Sequence, residues 1–392
     1  MKKLLLLLSL FVCVAAFGQD LTKIINDVKK EYAPDKRTAV FDVKEVPTNG
    51  PVVLSGRTNL PQAKTDLLAR AQREGIEVLD AIKVLPDTAE LEGKTYGVVR
   101  IAVGTLRYGP SYASEQATQL LLGTPVKILE KDGWYLVQTP EDYISWVSTS
   151  AIQPMTRDEY NAYVAQPKVI YLADAGWAYK EPDAASQRVT DVVAGCILLD
   201  KGTKGKYVRV GLPDGREAYV PKSEVTDYAQ WVQNVTPTKE NIVNTAYRFM
   251  GVSYLWAGTS VKMLDCSGFS KTVYMLNGLI LARDASQQCL TGENIDVSDG
   301  YKNLQAGDLV FFGSKDRYGE PERVWHVGIY VGDGRFIHEA GDVHENSFNP
   351  SHPDYSKYYV DRLVRATRII GTEDKGLGVT SFRKNPYYAV QE

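Results

Sequence analysis

One cysteine of the chain stands in the sequence LDCSGFS, residues 264–270, between an aspartate and a serine–glycine pair. The apolar residues Phe269, Val273 and Leu276 follow it with helical spacing, which predicts a helix that begins at or near Cys266. The thiolate is the nucleophilic form of cysteine, and the free N–H groups and dipole of a helix N-terminus lower the pKa of a thiol. These residues favour a nucleophile, but a packing residue, a metal ligand and half of a disulfide are alternatives that the motif alone leaves open.

A nucleophilic cysteine needs a base, and the chain has four histidines: His326, His338, His344 and His352. His326 and His338 lie in the two arms of a predicted hairpin, VWHVGIYVGDGRFIHEAG. A two-residue turn would place their side chains on opposite faces, whereas a three-residue loop over 332–334, which the glycines permit, places both on one face. One histidine could then take the thiol proton while the other orients its imidazole. His344 and His352 lie in a polar stretch that predicts a loop.

The other cysteines show no pattern of a metal site or of a disulfide framework. Export of the chain would remove Cys13 and leave three cysteines, an odd number. No C-x-x-C or H-E-x-x-H spacing occurs in the sequence. Cys196 falls in a strand-like run and Cys289 in a helical run, and both are predicted to be buried packing residues. We expect no metal and no organic cofactor.

The first residues, MKKLLLLLSLFVCVAAFGQD, combine two lysines, an apolar run and a small-residue end. This pattern is typical of a secretory signal peptide over 1–18, cleaved near Gly18, and it predicts export to the periplasm or the cell exterior. The apolar run is shorter than the ~20 residues that a membrane-spanning helix needs, so no integral membrane segment is expected. The net charge of -3, without a basic block, gives no indication of nucleic-acid binding.

The rest of the chain divides into regions by its patterns. Residues 19–95 alternate helix-like and strand-like runs, which predicts a small α+β region without reactive groups. Two segments then repeat with a period of about 72 residues, since Gly123 in LLGTPVKILEKDGWYLVQ matches Gly195 in VAGCILLDKGTKGKYVRV. Short strands and glycine-rich turns predict two small β-barrels there, at 96–158 and 166–230. A last domain over 236–370 and a C-terminal tail over 371–392 complete the chain.

Four motifs of the last domain resemble those of the NlpC family of papain-like cysteine peptidases: GVSYLWAGTS, LDCSGFS, LQAGDLVFFG and WHVGIYVGDGRFIHEAG, in that order. The resemblance implies that Cys266 is the nucleophile, His326 the base, His338 the residue that orients the base, and Tyr254 a residue that stabilises the oxyanion. The sequence departs from the family at Ser253, commonly proline, and at Ala257, commonly glycine.

The barrels resemble bacterial SH3-like domains, which often accompany cell-wall enzymes. The resemblance implies an α+β chain in which a small N-terminal α+β segment and two SH3-like barrels precede a papain-like catalytic domain. This arrangement is similar to the γ-D-glutamyl-L-diamino acid endopeptidases of peptidoglycan, of the dipeptidyl-peptidase VI type. They cut the bond after γ-D-Glu in stem peptides whose N-terminal L-Ala is free.

A free α-ammonium must be bound by carboxylates and hydroxyl groups. An N-blocked peptide would leave such groups buried and unpaired. Asp265 and Ser267 flank the nucleophile and fit this role. The resemblance implies further substrate contacts from four residues: Glu115, Tyr143, Asp284 and Ala285. Surface charge and barrel packing are the alternative roles of Glu115 and Tyr143.

Two other functions remain open at the level of the sequence. An N-acetylmuramoyl-L-alanine amidase, or a remodelling hydrolase of intact stems, would use the same cysteine and histidines without needing an ammonium site. A cell-wall-binding protein with a silent catalytic domain would have no reason to keep Cys266, His326 and His338 together. We expect a monomer that acts on stem peptides of peptidoglycan, and the sequence does not distinguish diaminopimelate from lysine at the third position.

Overall fold

The computed structural model of the chain describes residues 21–48, 50–315 and 322–389. The predicted signal peptide, residues 1–18, lies outside the described residues. These form an N-terminal unit, two β units and a C-terminal unit, which contact one another. Within the described ranges, no helix combines the length and the apolar character that crossing a membrane requires.

The N-terminal unit, residues 21–84, packs two helices against a three-stranded sheet. Its elements are α1 (21–32), β1 (Phe41–Val46), β2 (Val52–Thr58), α2 (Pro61–Arg73) and β3 (Val78–Val84). Strand β2 lies between β1 and β3, antiparallel to the first and parallel to the second. Ala63, Leu67 and Ala71 recur at helical spacing and bury one face of α2. The sequence patterns predict all five elements, and the structure confirms them.

Each β unit contains a seven-stranded sheet. The first β unit, residues 96–155, has β4 (Tyr96–Val99), β5 (Val103–Arg107), β6 (Gln116–Leu121), β7 (Pro125–Asp132), β8 (Trp134–Gln138), β9 (Ile144–Ser148) and β10 (Ile152–Met155). The second β unit, residues 168–227, has β11 (Lys168–Tyr171), β12 (Ala175–Tyr179), β13 (Arg188–Val193), β14 (Ile197–Lys204), β15 (Tyr207–Gly211), β16 (Glu217–Pro221) and β17 (Val225–Asp227). Helix α3 (Arg157–Val164) lies between the units and α4 (Tyr228–Asn234) follows them.

The two sheets have the same strand order, which confirms the internal repeat. The order is β10-β4-β7-β8-β9-β5-β6 in the first and, read from its other end, β17-β11-β14-β15-β16-β12-β13 in the second. Gly123 and Gly195 occupy equivalent positions with φ of 85° and 94°. Each donates its backbone N–H to the last residue of the first strand of its unit, Val99 or Tyr171. A positive φ explains why glycine recurs in this turn.

The C-terminal unit, residues 239–389, places helices against a six-stranded antiparallel sheet. Its helices are α5 (Lys239–Arg248), α6 (Cys266–Leu276), α7 (Ala285–Gln288) and α8 (Lys357–Val360). The sheet has the order β21-β26-β22-β23-β24-β25, from β21 (Glu293–Ile295), β22 (Leu309–Ser314), β23 (Arg323–Gly332), β24 (Arg335–Glu339), β25 (Val343–Ser347) and β26 (Leu363–Arg368). Short pairs are made by β18 (Thr259–Ser260) with β19 (Met263–Leu264) and by β20 (Leu279–Ile280) with β27 (Thr380–Ser381). One buried apolar cluster runs from Leu121 of the first β unit through Val193 of the second to Phe269 of α6.

The segment predicted as a C-terminal tail is instead part of the packed structure as far as residue 389. Its strand β27 pairs with β20. The ring of Phe382 lies 5.3 Å from that of Trp231, and Asn385 donates a hydrogen bond to the carbonyl oxygen of Pro140 at 2.8 Å. The segment therefore contacts α4 and the first β unit, which its sequence alone does not reveal.

We predict that Gly123→Ala destabilises the protein more than Gly133→Ala does. Both glycines have a positive φ, 85° and 63°, which costs another residue about 1–2 kcal/mol. A Cβ at Gly133 would meet open space, whereas a Cβ at Gly123 would overlap the carbonyl oxygen of Ile197 in the second β unit. Thermal unfolding measures both variants, and equal shifts in melting temperature would contradict this account of how the β units are joined.

Candidate active site

Helix α6 begins at Cys266, as the sequence predicts. Asp265 is the N-cap residue, and its Oδ1 accepts a hydrogen bond from the backbone N–H of Gly268 at 2.6 Å. Cys266 is 9% exposed and lines a cleft of about 280 Å³ together with His326 and Tyr254. The structure therefore brings the sulfur, one histidine and one tyrosine to the same cavity.

The hairpin that carries the two histidines differs from the prediction in one detail. Gly332 pairs with Arg335, so the turn has the two residues Asp333 and Gly334, both with positive φ. The predicted three-residue loop is therefore wrong. Val331 is an extra residue between the pairs Tyr330–Phe336 and Gly332–Arg335. This bulge shifts the register by one residue and restores the parity that places His326 and His338 on one face.

The two histidines form a hydrogen-bonded chain with a third residue. Nε2 of His326 lies 2.8 Å from Nδ1 of His338, and Nε2 of His338 lies 3.0 Å from Oδ1 of Asn346. Asn346 is oriented by its Nδ2, which donates to the carbonyl oxygen of Asp354 at 3.3 Å. Sequence reasoning missed Asn346, because a lone asparagine in a polar stretch carries no motif.

The hydrogen-bond partners of His326 and His338 determine which ring nitrogens carry protons. Since Oδ1 of Asn346 only accepts, Nε2 of His338 carries a proton and donates it. In a neutral His338, Nδ1 then accepts, so Nε2 of His326 is the donor. Nδ1 of His326 is left with the lone pair that can remove a proton from another group.

His344 is not a loop residue, in contrast to the prediction. It lies in β25 directly opposite His338, and the two ring centroids are 4.5 Å apart. Its Nδ1 bonds to the carbonyl and carboxylate oxygens of Asp342, so it does not join the chain. His352 lies between β25 and α8, outside any strand or helix, as predicted.

Burial keeps His326 and His338, the two histidines of the hydrogen-bonded chain, neutral. It lowers the pKa of His326 to about 4, and it lowers the pKa of His338 well below its ordinary value. The rings of Phe312 and Tyr359 pack beside His326, with centroids 5.8 and 5.7 Å away. A neutral His326 at pH 7 can act as a proton acceptor.

The predicted lowering of the thiol pKa is reversed in the structure. Burial, and after it the Asp265 carboxylate, raise the pKa of Cys266 to about 12. The backbone N–H groups of Val327 and Ser267 and the guanidinium of Arg283 act in the opposite direction and only partly offset the burial. In the free protein the thiol keeps its proton, so a base must remove that proton before the sulfur attacks.

Asp265 is bound by a buried arginine rather than left free for a ligand. Arg283, 1% exposed, donates to Oδ2 of Asp265 at 2.7 Å and to Oδ1 at 3.2 Å. The same guanidinium donates to Ser267 Oγ at 2.8 Å and to Thr118 Oγ1, in β6, at 2.9 Å. The structure does not favour the expected binding of an ammonium by Asp265 and Ser267, because each oxygen of Asp265 already accepts from Arg283 and from a backbone N–H group.

The loop before α6 carries Tyr254. Burial, and then the nearby Cys266, raise the pKa of Tyr254 to about 12, so its hydroxyl stays protonated. Ala257, at a position where the family commonly has glycine, has a φ of 63°. Its backbone N–H donates to Oδ2 of Asp265 at 2.9 Å, and its carbonyl oxygen accepts from Gln116 of β6 at 3.1 Å. These two bonds hold the alanine in a conformation that glycine adopts more readily.

Of the other predicted substrate residues, Asp284 and Ala285 line the cleft. The hydroxyl of Tyr143 donates to Oδ2 of Asp284 at 3.2 Å, but Tyr143 is fully buried behind the cleft wall. Glu115 is exposed and does not line the cleft, and its Oε1 accepts from the indole N–H of Trp256, which does, at 3.0 Å.

An arginine that sequence reasoning missed also reaches this cleft. Arg37 belongs to the N-terminal unit, and its Nη1 donates to Oδ2 of Asp284 at 2.8 Å and to Oγ of Ser286 at 2.9 Å. No pattern in the sequence links a residue of the N-terminal region to one nearly 250 positions away.

Glu339 is a buried carboxyl group next to His338. Burial, and then the Asp342 carboxylate, raise the pKa of Glu339 to about 7, and the backbone N–H of Gly341 offsets this only in part. Among the described residues, no side chain donates a hydrogen bond to its oxygens. The ionised form is therefore unfavourable in the folded protein.

Comparisons with known proteins match two segments of the chain to families. The NlpC/P60 family matches residues 251–368, and the bacterial dipeptidyl-peptidase Sh3 domain matches residues 106–152. These segments contain the cleft with Cys266 and His326, and most of the first β unit. The first β unit is therefore SH3-like, and the second has the same strand order.

Similar curated proteins include two dipeptidyl-peptidases. The chain is 32% identical over 236 residues to a γ-D-glutamyl-L-lysine dipeptidyl-peptidase of Bacillus cereus, covering 58% of this chain and 68% of the relative. It is 25% identical over 270 residues to dipeptidyl-peptidase 6 of Lysinibacillus sphaericus, covering 66% and 93%. A crystal structure of an NlpC/P60 family protein from Bacillus cereus matches with a TM-score of 0.60 at 24% identity, over 70% of this chain and 99% of that chain. The predicted α+β fold with a papain-like catalytic domain is confirmed.

We predict that Glu339→Gln raises the melting temperature by a few degrees at pH 8 and by less as the pH falls toward 4. The pKa of Glu339 is raised from 4.5 to about 7, so its protonated form favours folding at low pH and this contribution is lost as the pH rises from 4.5 to 7. The lowered pKa values of His326 and His338 make stability change with pH in the opposite direction. We therefore compare the melting temperature of the variant with that of the wild type at each pH, so that the contribution of the histidines cancels.

The control is Glu240→Gln, which changes an exposed glutamate on α5. Calorimetry between pH 4 and 8 should show no pH-dependent gain for this control. A constant difference between Glu339→Gln and the wild type across the range would refute the raised pKa.

Proposed function

Because the chain belongs to the NlpC/P60 family of cysteine peptidases that hydrolyse peptidoglycan, we propose that it cuts the bond between γ-D-Glu and the diamino acid in stem peptides whose N-terminal L-Ala is free. The names of the γ-D-glutamyl-L-lysine dipeptidyl-peptidase relatives support this bond. The observation that carries the requirement for a free N-terminus is the group of Asp284, Tyr143 and Glu115 at or beside the cleft.

The proposed reaction begins with the thiol of Cys266. Nδ1 of His326 takes the thiol proton, and the sulfur attacks the γ-carbonyl carbon of D-Glu to form a tetrahedral oxyanion. The protonated hydroxyl of Tyr254 and the backbone N–H groups at the start of α6 are the donors that would stabilise this charge. The C–N bond then breaks, and His326 gives its proton to the leaving amine of the diamino acid.

The second half of the reaction releases the dipeptide. The thioester between Cys266 and the γ-carboxyl group of L-Ala–γ-D-Glu is attacked by water, from which His326 removes a proton. The thiolate leaves and takes that proton back. In both halves His338, held by Asn346, supports the imidazolium of His326 through the hydrogen bond at Nε2.

Recognition of the amine is assigned to Asp284, with Glu115 as a second carboxylate. Burial, and then the Asp284 carboxylate, raise the pKa of Tyr143, so its hydroxyl remains a donor that fixes Oδ2 of Asp284. The α-ammonium of L-Ala would pair with these carboxylates, whereas an N-acetylated or muramyl-linked L-Ala has no charge to offer them. Tyr108 and Ala117 of the first β unit also line the cleft and support a wall at this end.

The location of such a substrate bears on the location of the enzyme. Peptidoglycan and its stem peptides lie outside the cytoplasmic membrane, and the signal peptide predicted over residues 1–18 supports export to the periplasm or the cell exterior.

We predict that Cys266→Ala abolishes hydrolysis without unfolding the protein, because the change is small and the sulfur is at the edge of the cleft. His326→Ala should lower kcat about 10²–10⁴-fold, the range of a general base. His338→Ala and Asn346→Ala should have smaller effects, since His338 only orients His326 and Asn346 only orients His338. Release of diamino acid from a defined tripeptide measures each rate. Cys196→Ala, at a fully buried cysteine of the second β unit, is the control. Activity of Cys266→Ala equal to that of the wild type would rule out Cys266 as the nucleophile.

The requirement for a free amine is tested by comparing L-Ala–γ-D-Glu–diaminopimelate with its N-acetylated and muramyl-linked forms. We expect kcat/KM to be at least ~100-fold higher for the free amine, because the blocked forms offer the Asp284 carboxylate no positive charge and must fit a bulkier group at the wall of the cleft. Asp284→Asn and Glu115→Gln should lower kcat/KM mainly for the free-amine peptide. Asp191→Asn, at a carboxylate of the second β unit that pairs with Lys262, is the matched control.

Asp265→Asn should behave differently from Asp284→Asn. Because Asp265 holds Arg283 and the start of α6, we expect it to reduce hydrolysis of both substrates rather than to alter the preference. Equal wild-type cleavage of free and blocked peptides would instead indicate a hydrolase of intact stems.

A further inference from the structure

The segment between α1 and β1 of the N-terminal unit enters the cleft of the C-terminal unit. At the centre of this segment, every nitrogen of the Arg37 guanidinium donates a hydrogen bond. Nε and Nη2 donate to the carboxylate of Asp35 at 2.7–3.1 Å, while Nη1 donates to Asp284 and Ser286 at 2.8 and 2.9 Å. A side chain of the N-terminal unit, Arg37, therefore lines the catalytic cleft.

A second side chain closes this contact into a ring. Gln287, in α7, donates from Nε2 to Oδ2 of Asp35 at 2.9 Å, and its Oε1 accepts the backbone N–H of Asp284 at 3.2 Å. The backbone of the same segment also contacts the first β unit, since the N–H of Ile144 donates to the carbonyl oxygen of Arg37 at 2.6 Å. Three units of the chain thus meet at the carboxylate of Asp284.

The carboxylate of Asp284 accepts the backbone N–H of Gln287 in a capping box, but among the described residues no side chain donates a hydrogen bond to its Oδ1. Arg37 and Tyr143 both donate to Oδ2, whereas Oδ1 lies 3.9 Å from Nη1 of Arg283, beyond hydrogen-bonding distance. Asp284 keeps a quarter of its side-chain surface exposed. Oδ1 can therefore accept from a ligand while Oδ2 is held.

The charges of the ring are those of an ammonium site. Asp35 and Asp284 carry two negative charges, and Arg37 between them carries one positive charge. The net charge is -1, and the geometry of the two carboxylates is fixed by a fork that a lysine cannot reproduce.

We propose that Arg37 is a positioning residue that gives the enzyme its selectivity for peptides with a free N-terminal amine, and that the N-terminal unit is in this way part of the substrate site. This inference rests on the proposed function. Arg37 holds Asp284 so that Oδ1 faces the α-ammonium, and its side chain, which lines the cleft, limits the space for an acyl group or a sugar on that nitrogen.

The test compares three full-length variants with the wild type on the free-amine tripeptide and its N-acetylated form. Arg37→Met removes the charge and the hydrogen bonds but keeps an unbranched apolar stem, and Arg37→Lys keeps the charge without the fork. Arg57→Met is the matched control, because Arg57 also joins the N-terminal unit to the first β unit, through Glu130, and does not line the cleft.

For Arg37→Met we expect KM for the free-amine peptide to rise at least ~10-fold, with a smaller change in kcat, and the ratio of kcat/KM between free and acetylated peptides to fall at least ~10-fold. Arg37→Lys should recover part of the ratio, and Arg57→Met should retain the wild-type ratio. The melting temperature of each variant shows whether it is folded.

The outcomes separate this inference from the function on which it rests. A wild-type ratio near one overturns the proposed function and the inference together. A wild-type ratio above ~100 that persists in folded Arg37→Met overturns the inference alone. A loss of selectivity in Arg57→Met as large as that in Arg37→Met also overturns it, because docking of the N-terminal unit, rather than the guanidinium, would then set the preference.

Discussion

The buried ion pair between Arg283 and Asp265 connects the parts of the cleft to one another. Asp265 caps α6, which places Cys266, and it holds the backbone N–H of Ala257, which shapes the loop of Tyr254. Arg283 carries the connection to Thr118 in the first β unit. Removing one partner of such a pair leaves a buried charge unpaired and costs about 3–5 kcal/mol. The position of the sulfur, of the tyrosine loop and of the neighbouring β unit are therefore coupled through one guanidinium, and none of them can shift alone.

Burial also decides the resting protonation of the site. A helix N-terminus favours a thiolate, yet the pKa of Cys266 is raised and that of His326 is lowered, because both groups lie in a poorly solvated place. The free protein therefore holds a neutral thiol and a neutral imidazole. The hydrogen-bonded chain through His338 to Asn346 fixes the tautomer that has a lone pair on Nδ1 of His326. The site is thus prepared for proton transfer during the attack rather than holding an ion pair in advance.

Local features of the sequence predict much of this structure. The start of α6, the elements of the N-terminal unit and the repeat of the β units follow from apolar spacing and turn residues. The features that were missed depend on contacts between distant segments. The register of the histidine hairpin is set by the bulge at Val331, which turn residues alone do not indicate. Asn346 and Arg283 act through partners that no spacing connects, and the C-terminal segment packs because apolar surface on α4 is available to Phe382.

The division of residues among units separates the chemistry from the selectivity. Cys266, His326, His338 and Asn346 all lie in the C-terminal unit, so the groups that would make and break bonds come from one unit. The surroundings of Asp284 come from three units, because Tyr143 belongs to the first β unit and Arg37 to the N-terminal unit. Two carboxylates as close as Asp35 and Asp284 repel each other unless a cation lies between them. Arg37 weakens the attraction of this site for an ammonium by one charge, but its hydrogen bonds also hold the carboxylates of Asp35 and Asp284 in place. In the proposed function, the selectivity at this end of the cleft therefore draws on side chains of three units, whereas the reacting groups come from one.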